Sequence, residues 1–165
     1  MKAITLTQPW ATLVAIGAKC IETRSWSTPY RGPLAIHAAA GLGPVGGLRG
    51  LQRLCDRVEF ANALWAGGIR KGPPPDDAWA DRLPFGAIIA VCDLVDCVAI
   101  VHRWQEQLIQ QRDNRWFVSP PITSPEYAFG DYTPGRYAWL LDTVQPLPEP
   151  IPAKGQLGLW EWTES

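Results

Sequence analysis

Residues 7–39 read TQPWATLVAIGAKCIETRSWSTPYRGPLAIHAA, and the changes of hydrophobic period within and just before them decide the fold. Upstream, Lys2–Leu6 (KAITL) alternates as a short strand does. ATLVAIG then takes helical spacing, with Pro9 near its first turn and Gly17 as its stop. CIETRSW returns to alternation, and RGPLAIHA is a further strand. Strand, helix, turn, strand and strand follow in order. Lys19 therefore falls in the turn, Glu22 and Arg24 share one face of the next strand, and Trp26 continues that face.

Outward from this stretch, Val45, Leu48, Leu51, Leu54 and Val58 recur at helical spacing, and GGIRKGPPPDD follows as a surface loop, so residues 42–84 form an insertion of helix and loop. GAIIAVCDLVDCVAIV is β-branched and nearly unbroken, the mark of a central strand buried on much of both faces, with Asp93 and Asp96 interrupting it. HRWQEQLIQQRDN is expected as a short amphipathic helix, RYAWLLDTV as a strand, and GLWEW as the last strand. Many strands, few helices and abundant turn residues imply an α+β fold built on a small mixed barrel, not a doubly wound sheet. With 165 residues, 47% of them apolar, residues 1–165 are expected to form one domain with its own core.

The formal net charge is -1 and the pI about 6.1, so a sequence-independent attraction of the whole molecule to polyanions is not expected. Charge is instead local. The first 37 residues carry Lys2, Lys19, Arg24 and Arg31 against Glu22, whereas residues 76–96 carry Asp76, Asp77, Asp81, Asp93 and Asp96 against Arg82. The N-terminus lacks a charged segment followed by a long apolar core, and no apolar run reaches the roughly 18 residues of a membrane span; a soluble cytoplasmic protein is the expectation.

Several chemistries lack their motifs. Gly41, Gly43 and Gly46 satisfy GxGxxG, but Pro44 lies inside it and no second strand ending in an acid follows, so the segment is read as a connection. GxxxxGK[ST] and GxSxG are absent. His37 and His102 are the only histidines and have no partner at metal-ligand spacing; no metal and no cofactor are expected. His37, near the end of an apolar strand, is read as a hydrogen-bonded wall residue. The four cysteines contain no CxxC pair and are read as reduced, mostly packing residues. Of nine tryptophans, Trp65, Trp139, Trp160 and Trp162 are assigned to core filling. Trp10 and Trp26 stand beside polar and basic residues, where a flat ring can stack on an unpaired base.

QPWATLVAIGAKCIETRSWSTPYRGPLAIHA and, downstream, EYAFGDYTPGRYAWLLDTVQPLPEPIPAKGQLGLWEW together resemble the opening and closing blocks of the ASCH domain, of the PUA-like superfamily. The resemblance implies a PUA-like β-barrel surrounded by short helices, with a cleft built from the two blocks and an association with RNA or DNA. Some small relatives hydrolyse cytidine acylated on its exocyclic amine, and ribonuclease activity has been proposed for others. In those amidohydrolases the lysine of a GxK turn activates a threonine three residues on, a downstream glutamate helps, and an arginine lies two residues past the threonine. Here Gly17, Lys19 and Arg24 match, Glu126 stands for the downstream glutamate, and Glu22 replaces the threonine.

A carboxylate is a poorer acyl acceptor than an activated hydroxyl. Two readings follow. In the first, the chain binds single-stranded RNA, DNA or a modified nucleoside through Trp10, Arg24, Trp26, Arg31 and Arg136, with Lys19 and Glu22 in the same site. In the second it is a metal-independent hydrolase of acylated cytidine or of RNA, with Lys19, Glu22 and Glu126 as its catalytic groups. A protein-interaction scaffold with a vestigial pocket is a third, weaker class.

Overall fold

The computed structural model describes residues 1–71, 78–104, 107–112, 115–118 and 124–163. The opening follows the expected order as β1 (Lys2–Leu6), α1 (Trp10–Ala15), β2 (Ile21–Arg24) and β3 (Gly32–Ala38). Next come α2 (Gly47–Cys55), α3 (Val58–Ala66), β4 (Ala87–Ala99), β5 (His102–Trp104), β6 (Gln107–Arg112), β7 (Arg115–Val118), α4 (Ser124–Ala128), β8 (Tyr137–Pro152) and β9 (Leu159–Glu161). Six strands make one curled sheet in the order β2-β8-β4-β3-β1-β9. Among the described residues of this sheet, only β1 and β3 pair in parallel. α1 lies against this sheet, and with four short helices among the described residues the molecule is an α+β, PUA-like half-barrel.

β4 sits between β3 and β8, which is why Ala87–Ala90 are buried on both faces and alternation begins only at Val91. The register against β8 shifts between Leu94 and Asp96, and such a bulge bends a strand. Asp96 uses that irregularity: its carboxylate accepts from the Cys97 N–H at 2.8 Å and pairs with Arg31 at 2.9 Å. β8 runs beyond the expected Val144 through a proline-rich stretch. β2 covers it only from Tyr137 to Leu140, so its later half is a sheet edge, where missing N–H donors are tolerated.

Two apolar clusters meet at α1. Ala11, Val14 and Ala15 pack against the sheet with Leu34, Ile36, Leu94 and Trp139, while Leu13 packs against Leu51, Phe60, Leu64, Trp79 and Phe129 of the helical layer. Gln8, fully buried, ties the helix start down by donating to the Pro84 carbonyl at 2.7 Å and accepting from the Thr12 N–H at 3.2 Å.

Three expectations need correction. The single helix over Val45–Val58 is instead a 3-10 turn (Gly43–Val45) followed by α2 and α3, because Gly46 and Gly47 hold φ of +82° and +70° and restart the chain, and Arg57 is extended. α3 itself escaped because VEFANALWA is apolar nearly all round and shows no face. Trp65 is not core but 53% exposed; Phe60 and Leu64 take the inward face of α3. HRWQEQLIQQRDN is not a helix. Its described residues form β5 and β6, which make a three-stranded antiparallel sheet with β7, with His102 opposite Ile109 and Ile109 opposite Val118. Adjacent Leu108 and Ile109 suit either period, and the pairing partner lies downstream, where a local pattern does not reach.

No helix among the described residues is long and apolar enough to cross a membrane. All four cysteines are free thiols; burial pushes Cys55 and Cys92 up to about 12, Cys97 is half-buried, and Cys20 is exposed. His37 is 1% exposed, with Nε2 donating to the Ala153 carbonyl at 3.0 Å and its ring edge-on to Trp160.

Candidate functional site: a cleft at the open side of the half-barrel

The turn after α1 closes with Gly17 at φ +74° and with the Ala18 and Lys19 N–H groups donating to the Leu13 carbonyl at 2.9 and 3.0 Å. This geometry turns Lys19 inward, where it is fully buried. Its ammonium donates to the carbonyls of Ile21 and of Phe129, the latter at 3.1 Å, and lies 3.4 Å from Glu22 Oε2. A buried charge is tolerable only with such partners. From the other side, Glu126 of α4 accepts the Cys20 N–H at 2.6 Å and the Ile21 N–H at 3.1 Å. Burial raises the pKa of Glu126, while the Cys20 N–H and the Lys19 charge pull against that rise.

Glu22 and Arg24 leave β2 on one face, as their spacing requires. Arg24 Nε lies 3.0 Å from Glu22 Oε1, out of hydrogen-bonding line, and Nη2 donates to the Thr5 carbonyl at 2.9 Å. Glu22 is thereby pinned between two cations. The Arg24–Thr5 bond bridges β2 to β1, strands that do not pair in the sheet.

At that opening lies a cleft of about 460 Å³. Thr5, Thr7, Glu22, Thr23 and Arg24 form its strand side; Trp10 and Phe60 come from α1 and α3 and Arg57 from the α2–α3 junction; Phe129, Gly130 and Asp131 complete it. Of the aromatic residues only Trp10 keeps exposed surface, for Phe60 and Phe129 are 1% and 2% exposed. Gly130 is required by space: a Cβ there would stand 2.7 Å from the Tyr132 ring and 3.2 Å from the Thr23 methyl. Asp131 donates its N–H to Thr23 Oγ1 at 3.0 Å, and its carboxylate faces Thr133 and Arg136, which hold its pKa below the ordinary range. Among the described residues, no group of three His, Cys, Asp or Glu side chains is placed to hold a metal ion.

The family model of the ASCH domain matches residues 4–137, a span that contains the Lys19 turn, the Glu22–Arg24 pair and Glu126. The chain belongs to the ASCH domain family. It is 34% identical over 123 residues to activating signal cointegrator 1 of Mus musculus, covering 70% of this chain and 18% of that protein. To activating signal cointegrator 1 of Homo sapiens it is 28% identical over 159 residues, covering 93% of this chain and 21% of the relative. The chain thus spans about a fifth of the length of these curated relatives.

In this ASCH domain, Trp10, Glu22 and Arg24 come together at the cleft wall. Lys19 and Glu126 lie behind the wall and hold it. Three other candidates sit elsewhere. Trp26 packs edge-on to Trp139, ring centroids 4.7 Å apart, and its carbonyl accepts the Trp139 indole N–H at 3.3 Å. Arg31 staples its own loop to β4 through the Thr28 and Tyr30 carbonyls and Asp96. Arg136 joins Asp131 to the Thr23 carbonyl. Arg57, Asp131 and Gly130 were missed. For Arg57 a signal existed: Arg49, Arg53 and Arg57 recur every four residues in a helical segment.

Proposed function

We propose that this ASCH domain binds single-stranded nucleic acid, RNA foremost, or a modified nucleoside within such a strand, in the cleft beside β2. The observation that carries the reading is Glu22 pinned between Lys19 and Arg24 in the same cleft as the half-buried ring of Trp10. A carboxylate fixed in this way keeps lone pairs for the amino group of a base, and an indole with an open face offers a stacking surface. The surplus positive charge of the Lys19–Glu22–Arg24 set favours an anionic ligand.

Hydrolysis finds less support. The three N–H donors of Lys19 each face an acceptor, which suits a fixed cation and leaves no lone pair for a substrate proton. Glu126 uses both oxygens on backbone N–H groups of the turn and does not line the cleft. Of the cleft's two carboxylates, Asp131 is paired with Arg136, and Glu22, though held by Lys19 and Arg24, is the one beside the Trp10 ring that a substrate could meet.

The test is fluorescence anisotropy with short single-stranded RNA, comparing wild type, Trp10→Ala and Glu22→Gln. Losing a stacking ring costs about 1–3 kcal/mol, so Trp10→Ala should weaken binding by roughly 5- to 150-fold. Glu22→Gln should weaken amino-bearing bases more than uracil. Equal affinity of all three proteins would remove the cleft reading. The same samples, incubated with RNA and with acylated cytidine and read by mass spectrometry, expose the rival: Glu22-dependent strand ends or deacylation would make the chain a hydrolase.

A further inference from the structure

α2 carries Arg49 and Arg53, and Arg57 follows one turn later with its N–H still donating to the Leu54 carbonyl at 3.2 Å. Within α2 the spacing of four residues puts Arg49 and Arg53 on neighbouring turns, about 6 Å apart along the axis, and Arg57 continues the interval just past the helix end. All three residues are exposed, whereas Gly50, Leu51 and Cys55 face the core. Arg57 and Leu54 line the cleft, so the row ends inside the candidate site. The Arg57 guanidinium lies over the Phe60 ring, 5.5 Å from its centroid.

The row has no internal neutralisation. Among the described residues, no carboxylate pairs with Arg49, Arg53 or Arg57, and Asp56 beside them is taken by Arg70 at 2.7 Å. Helix electrostatics explains only part of it. Arg53, in the last turn, complements the negative end of the helix; Arg49, in the first turn, opposes the positive end, and no acidic residue accompanies it there. Arg49 and Arg53 also repel one another at i, i+4. Two unfavourable placements in one exposed row, in a chain whose net charge is -1, fit a surface neutralised by a ligand.

We propose that Arg49, Arg53 and Arg57 form a track for the phosphate backbone of a single-stranded nucleic acid that leaves the cleft along α2. The inference rests on the cleft as the base-binding site and deepens it: the ligand is an oligonucleotide, and the free nucleoside fills only the inner end. Arginines that recur every four residues, each able to bind phosphate in bidentate fashion, suit a repeating anion.

The test measures anisotropy for RNA and DNA oligomers of about two and about eight nucleotides, a range set by typical single-strand site sizes, across a salt series. Proteins are wild type, R49Q/R53Q and R49K/R53K. Expected is a wild-type affinity that rises with length and a gain lost in R49Q/R53Q but kept in R49K/R53K. The salt slope for the long oligomer should be shallower by about 1.4 in R49Q/R53Q, from two lost cations at about 0.7 each. Dinucleotide affinity should stay within about twofold. A length gain that survives in R49Q/R53Q, or no gain in wild type, overturns the track. If dinucleotides bind no better than inorganic phosphate while the arginine-dependent gain persists, the base-binding reading falls and the track stands. Binding of acidic lipid vesicles with no oligonucleotide binding at any length removes both. The substituted positions are exposed, so melting temperatures should match that of wild type.

Discussion

Glu126 shows how a residue that does not line a cleft can still serve it from behind. Its two oxygens satisfy the Cys20 and Ile21 N–H groups, so the direction in which Lys19 and Glu22 leave the turn depends on it. Truncation in Glu126→Ala orphans both donors and should lower stability by roughly 1–3 kcal/mol in urea denaturation. The pH dependence adds a sign. Burial raises the Glu126 pKa above its ordinary 4.5, so the folded state holds the proton more tightly than the unfolded chain. The contribution to stability is then fully present below 4.5 and is lost as pH rises through the raised value. Glu126→Gln does not titrate, so wild type should lose ground to this variant as pH rises from about 4.5 towards neutrality. A wild-type advantage that grows over the same window would mean that the two N–H bonds and Lys19 outweigh burial.

At the scale of elements, the cleft depends on the close approach of the α4–β8 loop to β2, and Gly130 is its contact point. A methyl there meets the Tyr132 ring and the Thr23 methyl, so Gly130→Ala should cost about 1–3 kcal/mol by overpacking and weaken RNA binding by displacing Asp131 from Thr23. A change under about 0.5 kcal/mol with unaltered binding would mean that Tyr132 yields freely. This approach was not legible in the sequence, because two elements more than a hundred residues apart create it. What was legible is local in period. Alternation put Glu22 and Arg24 on one face, and the glycine stop of α1 put Lys19 in the turn. Trp26 lay beyond the reach of that logic, for β2 ends at Arg24 and the chain folds the indole onto Trp139. For Arg31 and Arg136 sequence shows a charge without its partner; in the structure each meets backbone carbonyls and an aspartate. β5 and β6 were misread for a related reason, since strand pairing is settled by a neighbour and not by the strand's own pattern.

For the molecule as a whole, α1 is the joint between sheet and helical layer. Six residues are too few to form a stable helix alone, so packing on both sides maintains it. Ala11 and Val14 belong to the sheet cluster, and Leu13 to the cluster of α2 and α3. If the clusters share this element, neither layer unfolds alone, and the cleft between them keeps its shape until the whole chain melts. Leu13→Ala tests the sharing, because its side chain touches only the helical cluster yet is fully buried. Truncating a buried leucine costs about 2–5 kcal/mol. Native-state hydrogen exchange read by mass spectrometry should show β3 and β4 losing as much protection free energy as α2 and α3, the sign of one cooperative unit. Protection that falls in the helices while the strands keep wild-type values would make the helical layer a separate unit. Arg57 and the track would then move relative to Glu22 and Arg24, and ligand affinity would fall before the sheet loosens.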